Sequence, residues 1–283
     1  MGRRKLTKTW SFDSEFTQNY TRVRQAFISE FLDAIGGAVP LKSAIDVGCG
    51  VGYFSKFLCK RGLQVMAVDG RDENAKEGRR RHPEIKFQTK DVEDLSFAEF
   101  GLFDLVLCVG LLYHLENPFR AIRNLHALTG KVLIVESMCA PGPEPSLLLL
   151  DEGQEADQGL NYIALYPTES CLVKMLYRAG FPFVYRFDRL PPDAQFTTTL
   201  SRKRSRTFLV ASKVELSAQN LLLAKEPTRW SAGSSDPWTR ALAKVQNSCR
   251  GKVSSLKARM VRLFRPSRRI AVSGPSGSDS NLK

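Results

Sequence analysis

Five short apolar runs, at 43–47, 64–68, 85–89, 103–109 and 131–136, alternate with helical stretches near 53–61, 72–80, 93–99 and 118–128. Several of the runs are nearly continuous in Val, Ile and Leu, the pattern of strands buried on both faces. A sheet fed by a helix between each pair of such strands is doubly wound and mostly parallel. Ahead of it, residues 14–35 carry apolar positions at helical spacing, among them Val23, Phe27, Phe31 and Leu32, and Gly36-Gly37 stops the run. Beyond it, a helix over 169–179 ending at Gly180 leads to strands at 183–187 and 207–212. These two read as a terminal hairpin joined by a loop with the basic stretch 201–206. The expected fold is α/β: a doubly wound, mostly parallel seven-stranded sheet with a terminal antiparallel hairpin, an N-terminal helix and a basic C-terminal extension. The Pro- and acid-rich stretch 141–158 reads as either a lid or a disordered excursion.

The 43% hydrophobic content of the 283 residues is ample for a buried core. The net charge of +13 is uneven: from residue 216 onward 13 Lys and Arg face 3 Asp and Glu, a net +10, which leaves +3 for residues 1–215. The charge therefore says little about what the folded domain binds. Composition turns to Ser, Lys and Arg near 215, which predicts an N-terminal helical cap over 1–40, the sheet domain over 41–215, and a basic, partly disordered tail over 216–283. Within the tail, Val253, Leu256, Met260, Leu263 and Phe264 share one helical face opposed by Lys252, Lys257, Arg259, Arg262 and Arg265. An amphipathic helix near 252–265 suits packing on the domain, an anionic membrane surface or an RNA backbone. No run approaches the roughly 18 apolar residues of a membrane span. Residues 1–8 are basic with no apolar segment after them, so a cytoplasmic location is expected, with peripheral membrane contact open through the tail. Six scattered cysteines form no CxxC pair, and with three scattered histidines they predict no metal site.

The chemistry-bearing segment is Asp46-Val-Gly48-Cys-Gly50-Val-Gly52, which follows the first strand and opens a helix, a place where ligands approach the backbone. Asp69 ends the next strand, where a carboxylate commonly holds ribose hydroxyls. The glycines are spaced GxGxG, not the GxGxxG of dinucleotide enzymes, and no GK[ST] follows, which excludes a P-loop. A carboxylate ahead of the loop repels a pyrophosphate but suits a cationic sulfonium ligand.

With DVGCGVGYFS at 46–55, VDG at 68–70, DVEDL at 91–95 and FDLVLCVGLLYHLENP at 103–118, the chain resembles the class I S-adenosylmethionine-dependent methyltransferases over roughly residues 40–212. The resemblance implies S-adenosyl-L-methionine as cofactor. Gly48, Gly50 and Gly52 would lie against its methionine part, with Asp46 oriented towards the ammonium group. Asp69 would accept the ribose hydroxyls, Asp91 the adenine amino group, and the Val92 backbone N–H would meet the ring. Cys108 and Val109 would border the methionyl chain. The bland alternatives are turn and helix packing for Gly48 and Gly52, and a helix N-cap for Asp91.

After the fourth strand comes Leu112-Tyr113-His114-Leu115-Glu116-Asn117-Pro118, where the family places groups facing the transferred methyl. His114 is the candidate general base, against a role in fixing the loop; Tyr113 either lines the pocket or packs. Trp10, Phe12, Phe16 and Tyr20 form an aromatic cluster that either caps the cofactor or belongs to the core. The leading expectation is a methyltransferase acting on O or N of a small molecule or sugar, with residues 138–168 and the N-terminal helix shaping the acceptor pocket. Kept beside it are a tRNA wobble-uridine modifying enzyme, which the LLYHLENP segment and Pro167-Thr-Glu-Ser resemble, and a non-catalytic scaffold. An NAD-dependent dehydrogenase is more distant because of the GxGxG spacing.

Overall fold

The computed structural model describes residues 10–198 and 205–227. The chain divides into two units, Met1–Pro227 and Thr228–Lys283, and the described residues all belong to the first. The amphipathic helix expected near 252–265, and the tail as a partner for RNA or an anionic membrane surface, therefore lie outside them.

Ser14 caps α1 (Glu15–Gly36), its side chain accepting from the Thr17 N–H. The alternating runs then form β1 (Ser43–Val47), α2 (Tyr53–Lys60), β2 (Gln64–Asp69), α3 (Asp72–Arg81), β3 (Lys86–Thr89), β4 (Phe103–Val109), α4 (Pro118–Leu128) and β5 (Thr129–Met138). The helix expected over 93–99 is instead a 3-10 segment, Leu95–Phe100, capped by Asp94. Gly101, at φ 83°, ends it within two turns, so no α-helix develops.

β6 (Leu147–Asp151) and β7 (Ile163–Pro167) make a separate antiparallel pair. The Pro- and acid-rich stretch thus holds a strand, whose four leucines are exposed. α5 (Glu169–Ala179), capped by Thr168 and ended by Gly180 at φ 113°, leads to β8 (Phe183–Phe187), β9 (Arg206–Ser212) and β10 (Leu221–Leu223). The main sheet runs β10-β8-β9-β5-β4-β1-β2-β3. β1 to β5 are mutually parallel, β9 is antiparallel to β5, and β8 and β10 pair antiparallel to β9 and β8.

The sheet is therefore eight strands wide, one more than the seven expected. Its extra edge strand comes from beyond 215, where Leu216 and Ala224 are buried and Leu221 pairs with Phe187. The Leu221–Leu223 run was short and sat among polar residues, so composition hid it.

Two apolar layers flank the sheet. One face packs Ile45, Val106, Leu133 and Leu209 against α4 and α5; the other packs Ala44, Leu105, Leu107, Ile134 and Val210 against α1. The alternation along each strand is what places α1 over one face and α4 and α5 over the other. Because the parallel strands end together, the loops after β1, β2, β3 and β4 converge on one edge of the sheet, where such folds bind ligands. Among the described residues no helix is long and apolar enough to cross a membrane.

Candidate active site

A cavity of about 350 Å³ opens at that edge. Its walls come from the loop after β1 (Gly48–Gly50), Asp69 at the end of β2, Asp91 to Glu93 after β3, Val109 to Leu115 after β4, and Tyr20 and Arg24 of α1. The segment 152–161 between β6 and β7 closes one side: Arg71 Nη2 donates to the Gly159 carbonyl at 2.7 Å, and Asn74 Nδ2 to the Ala156 carbonyl at 3.1 Å. The stretch that read as lid or excursion is thus held against the Asp69 end by two hydrogen-bonding side chains.

The glycine loop hangs on β2, the N–H groups of Gly48 and Cys49 donating to the Val68 carbonyl at 2.8 and 3.1 Å. Gly48 and Gly50 line the cavity at φ 75° and 54°, a conformation side chains resist. Gly52 does not line it. It sits at φ 94° as the N-cap of α2, and a Cβ there would come 2.6 Å from Phe87 Cζ. For Gly52, the helix-packing alternative is the one the geometry realises.

Asp69 is buried and fixes the loop around itself, Oδ2 accepting from Gly50 N–H at 2.8 Å and Oδ1 from Arg71 N–H at 2.8 Å and Asn74 Nδ2 at 3.1 Å. Burial pushes its carboxyl above the usual value although those three donors oppose the shift. Asp91 lies on the cavity, and its Oδ1 accepts from Glu93 N–H at 2.9 Å, an Asx turn. It is Asp94, not Asp91, that caps the following 3-10 segment. Val92 is buried beside it, and its carbonyl accepts from Asn124 Nδ2 at 2.7 Å. Val109 lines the cavity.

Two expected residues stand behind the wall. Asp46 is buried, outside the lining, and accepts from Ser55 Oγ at 2.6 Å, holding α2 to β1. Cys108 is fully buried in the apolar layer, because alternation along β4 turns it away from the cavity.

Burial pushes the Asp46 carboxyl up to about 7, against the opposing Ser55 bond and with the Asp69 charge adding to the rise. The folded value exceeds the unfolded one, so this group's stabilisation is complete below its ordinary 3.8 and is lost as pH rises to about 7. Asp46→Asn keeps an acceptor for Ser55 and does not ionise. Its unfolding free energy, relative to the unchanged chain, is expected to rise across that window; urea titrations over a pH series read it directly, and a constant difference would show that Asp46 titrates alike in the folded and unfolded chain.

Tyr113 and His114 both line the cavity, their rings 4.1 Å apart. His114 Nδ1 lies 2.6 Å from Glu152 Oε1, and Glu152 Oε2 also accepts from Gly159 N–H at 2.8 Å. Of the aromatic cluster, Phe12, Phe16 and Tyr20 border the cavity, Tyr20 also being buried, while the Trp10 ring faces Arg81.

Sequence reasoning missed Glu152 and the ion cluster at the far end. Fully buried Glu136 accepts from Arg206 Nη1 at 2.9 Å and from Tyr20 OH at 3.1 Å, with Arg24 Nη1 at 3.4 Å. A single signal existed: Glu136 is the one acid in the apolar strand 131–136, and a strand covered on both faces gives an acid no water to face.

Residues 45–131 match the family model described as "Methyltransferase domain". Over those residues the chain resembles a methyltransferase domain, and its sheet has the Rossmann-like fold of such domains. A curated relative, the "Ubiquinone biosynthesis O-methyltransferase" of Xanthomonas oryzae pv. oryzae, is 34% identical over 105 residues, which are 36% of this chain and 42% of that protein. The domain therefore aligns with less than half the length of the curated relatives it matches. Among solved structures, the N-terminal domain of EvdMO1 with SAH bound superposes with a TM-score of 0.53 at 20% identity, covering 66% of this chain and 80% of that one. CalS10 with SAM bound, an amino pentose methyltransferase of Micromonospora echinaspora, superposes at 0.50 and 17% identity over 73% of this chain and 100% of its own. At these identities the solved structures speak for the domain's fold.

Proposed function

We propose that the chain transfers the methyl group of S-adenosylmethionine to an oxygen or nitrogen of a small-molecule or sugar acceptor. The observation that carries this reading is that one cavity joins the loop 48–50 and the carboxylates of Asp69 and Asp91 to Tyr113 and His114. The residues fit the cofactor chemically. Asp69 and Asp91 offer acceptors at two depths for ribose hydroxyls and the adenine amino group, with buried Val92 and Leu115 supplying apolar walls for the ring. Gly48, Gly50 and Val109 bound the space for the methionyl chain, and the carboxylates favour a cationic sulfonium over a phosphate.

When bound, S-adenosylmethionine supplies a methyl group open to in-line displacement by the acceptor heteroatom. His114 takes the proton that the heteroatom sheds, at its imidazole. Glu152, whose Oε1 lies 2.6 Å from Nδ1, sets the position of that ring. The segment 152–161, tied down by Arg71 and Asn74, keeps water from the reacting centre. The name of the curated O-methyltransferase relatives favours oxygen over nitrogen as the atom methylated.

The test is calorimetric. Full-length protein is expected to bind S-adenosylhomocysteine with micromolar affinity and NAD not at all. Asp69→Ala should weaken that binding about 100-fold, the ~3 kcal/mol carried by hydrogen bonds to a charged group. A folded sample that binds no S-adenosylhomocysteine overturns the reading.

A further inference from the structure

The proposed cofactor residues sit on β1, β2, β3 and β4, whereas β5 and β9 lie on the other side of β4. There the cavity wall is cationic. Arg206, at the start of β9, donates through Nη1 to Glu136 at 2.9 Å, through Nη2 to Tyr113 OH at 3.0 Å and through Nε to Gln195 Oε1 at 2.9 Å. Arg24 is held less well: Nη1 is 3.4 Å from Glu136 Oε2, Nη2 is 3.4 Å from Thr21 Oγ1, and Nε is buried with no hydrogen-bond partner among the described residues. The two side chains are only 12% and 10% exposed, and both border the cavity.

Two guanidinium groups thus share one carboxylate. Burial pushes the Tyr20 and Tyr113 hydroxyls up, so both stay neutral and add no negative charge. Another acid on the wall, Glu152, faces His114 and the Gly159 N–H. Burying two cations against one carboxylate is costly, and a guanidinium fork can take both oxygens of a second carboxylate.

We infer that the acceptor carries a carboxylate, and that Arg206 with Arg24 forms the subsite that takes it; the inference rests on the methyltransferase reading above. The cofactor's own carboxylate is the competing source, since Arg24 also borders Gly110 at the end of β4. Arg206, one strand beyond β5 and ringed by Tyr113, Gln195 and Glu136, is on the acceptor's side.

The test saturates the full chain with S-adenosylhomocysteine, which fills any cofactor carboxylate site, and then titrates matched pairs: benzoate against benzamide, and glucuronate against glucuronamide. At least one acid is expected to bind about tenfold or more tighter than its amide, a difference of ~1.4 kcal/mol. Arg206→Gln should erase the preference, and Arg206→Lys should keep part of it, with the affinity for S-adenosylhomocysteine unchanged in both. The comparison on the unchanged chain needs no variant to fold. Acids that bind no better than amides, or not at all, overturn the inference alone. So does an Arg206→Gln variant whose affinity for S-adenosylhomocysteine falls in step, because the cation then serves the cofactor. Failure of S-adenosylhomocysteine to bind at all removes the methyltransferase reading, and the inference with it.

Discussion

His114→Ala is expected to lower kcat by about 10²- to 10⁴-fold, the usual contribution of a positioned general base, while S-adenosylhomocysteine binds as before. His114 borders the cavity with its Nδ1 2.6 Å from Glu152 Oε1. With the carboxylate beside one ring nitrogen, the other nitrogen is the one placed to accept a proton. Glu152→Gln should produce a smaller loss, since it changes the group beside the ring and leaves the ring itself in place. These effects are read by steady-state kinetics across pH with an acceptor found by screening. The opposite result, a His114→Ala enzyme with unchanged kcat, would assign His114 to fixing the loop after β4 and leave catalysis to alignment alone.

How much of this was legible beforehand follows from how local each feature is. β1 to β5, β8 and β9 fell within one or two residues of their positions because each is specified by its own apolar run, whereas β6, β7 and β10 were not foreseen; capping residues such as Ser14 and Thr168 mark helix starts in the sequence itself. The 3-10 segment at 95–100 was misread as α-helix because its apolar residues fit either period over so short a stretch. Motif spacing could not tell wall from backing. Gly52 serves a contact with Phe87, 35 positions away in sequence, and Asp46 a bond to Ser55 across the β1–α2 junction. Cys108 is one residue from Val109, and strand alternation alone sends one to the core and the other to the cavity.

The ion cluster was the least legible part. Arg206 meets Glu136 because β9 pairs antiparallel with β5, setting Arg206 opposite Met138 and Phe208 opposite Glu136. That register makes Arg206 and Glu136 diagonal neighbours on one face, the face α1 covers with Tyr20 and Arg24. Nothing in the residues near position 136 or position 206 announces the pairing, since it depends on which strand β9 chooses.

The same geometry gives the largest expected effect on stability. Glu136→Ala should destabilise the fold by about 3–5 kcal/mol, because it strands two largely buried guanidinium groups with no counter-charge. Burial alone would push the Glu136 carboxyl up, yet Arg206 and Arg24 outweigh it and hold the group below its usual value. The sign follows from that lowering: the stabilisation is present above the ordinary carboxylate value and disappears only as the solution becomes more acidic. Urea unfolding of the ligand-free full chain at neutral pH measures the loss. Glu136→Ala combined with Arg206→Ala is expected to cost less than the two changes summed, since removing the second partner relieves the charge that the first exposed. A Glu136→Ala variant that loses less than about 1 kcal/mol would put the pair in the range of exposed salt bridges. Water would then reach the guanidinium groups, and the cationic wall would no longer require an anion to balance it.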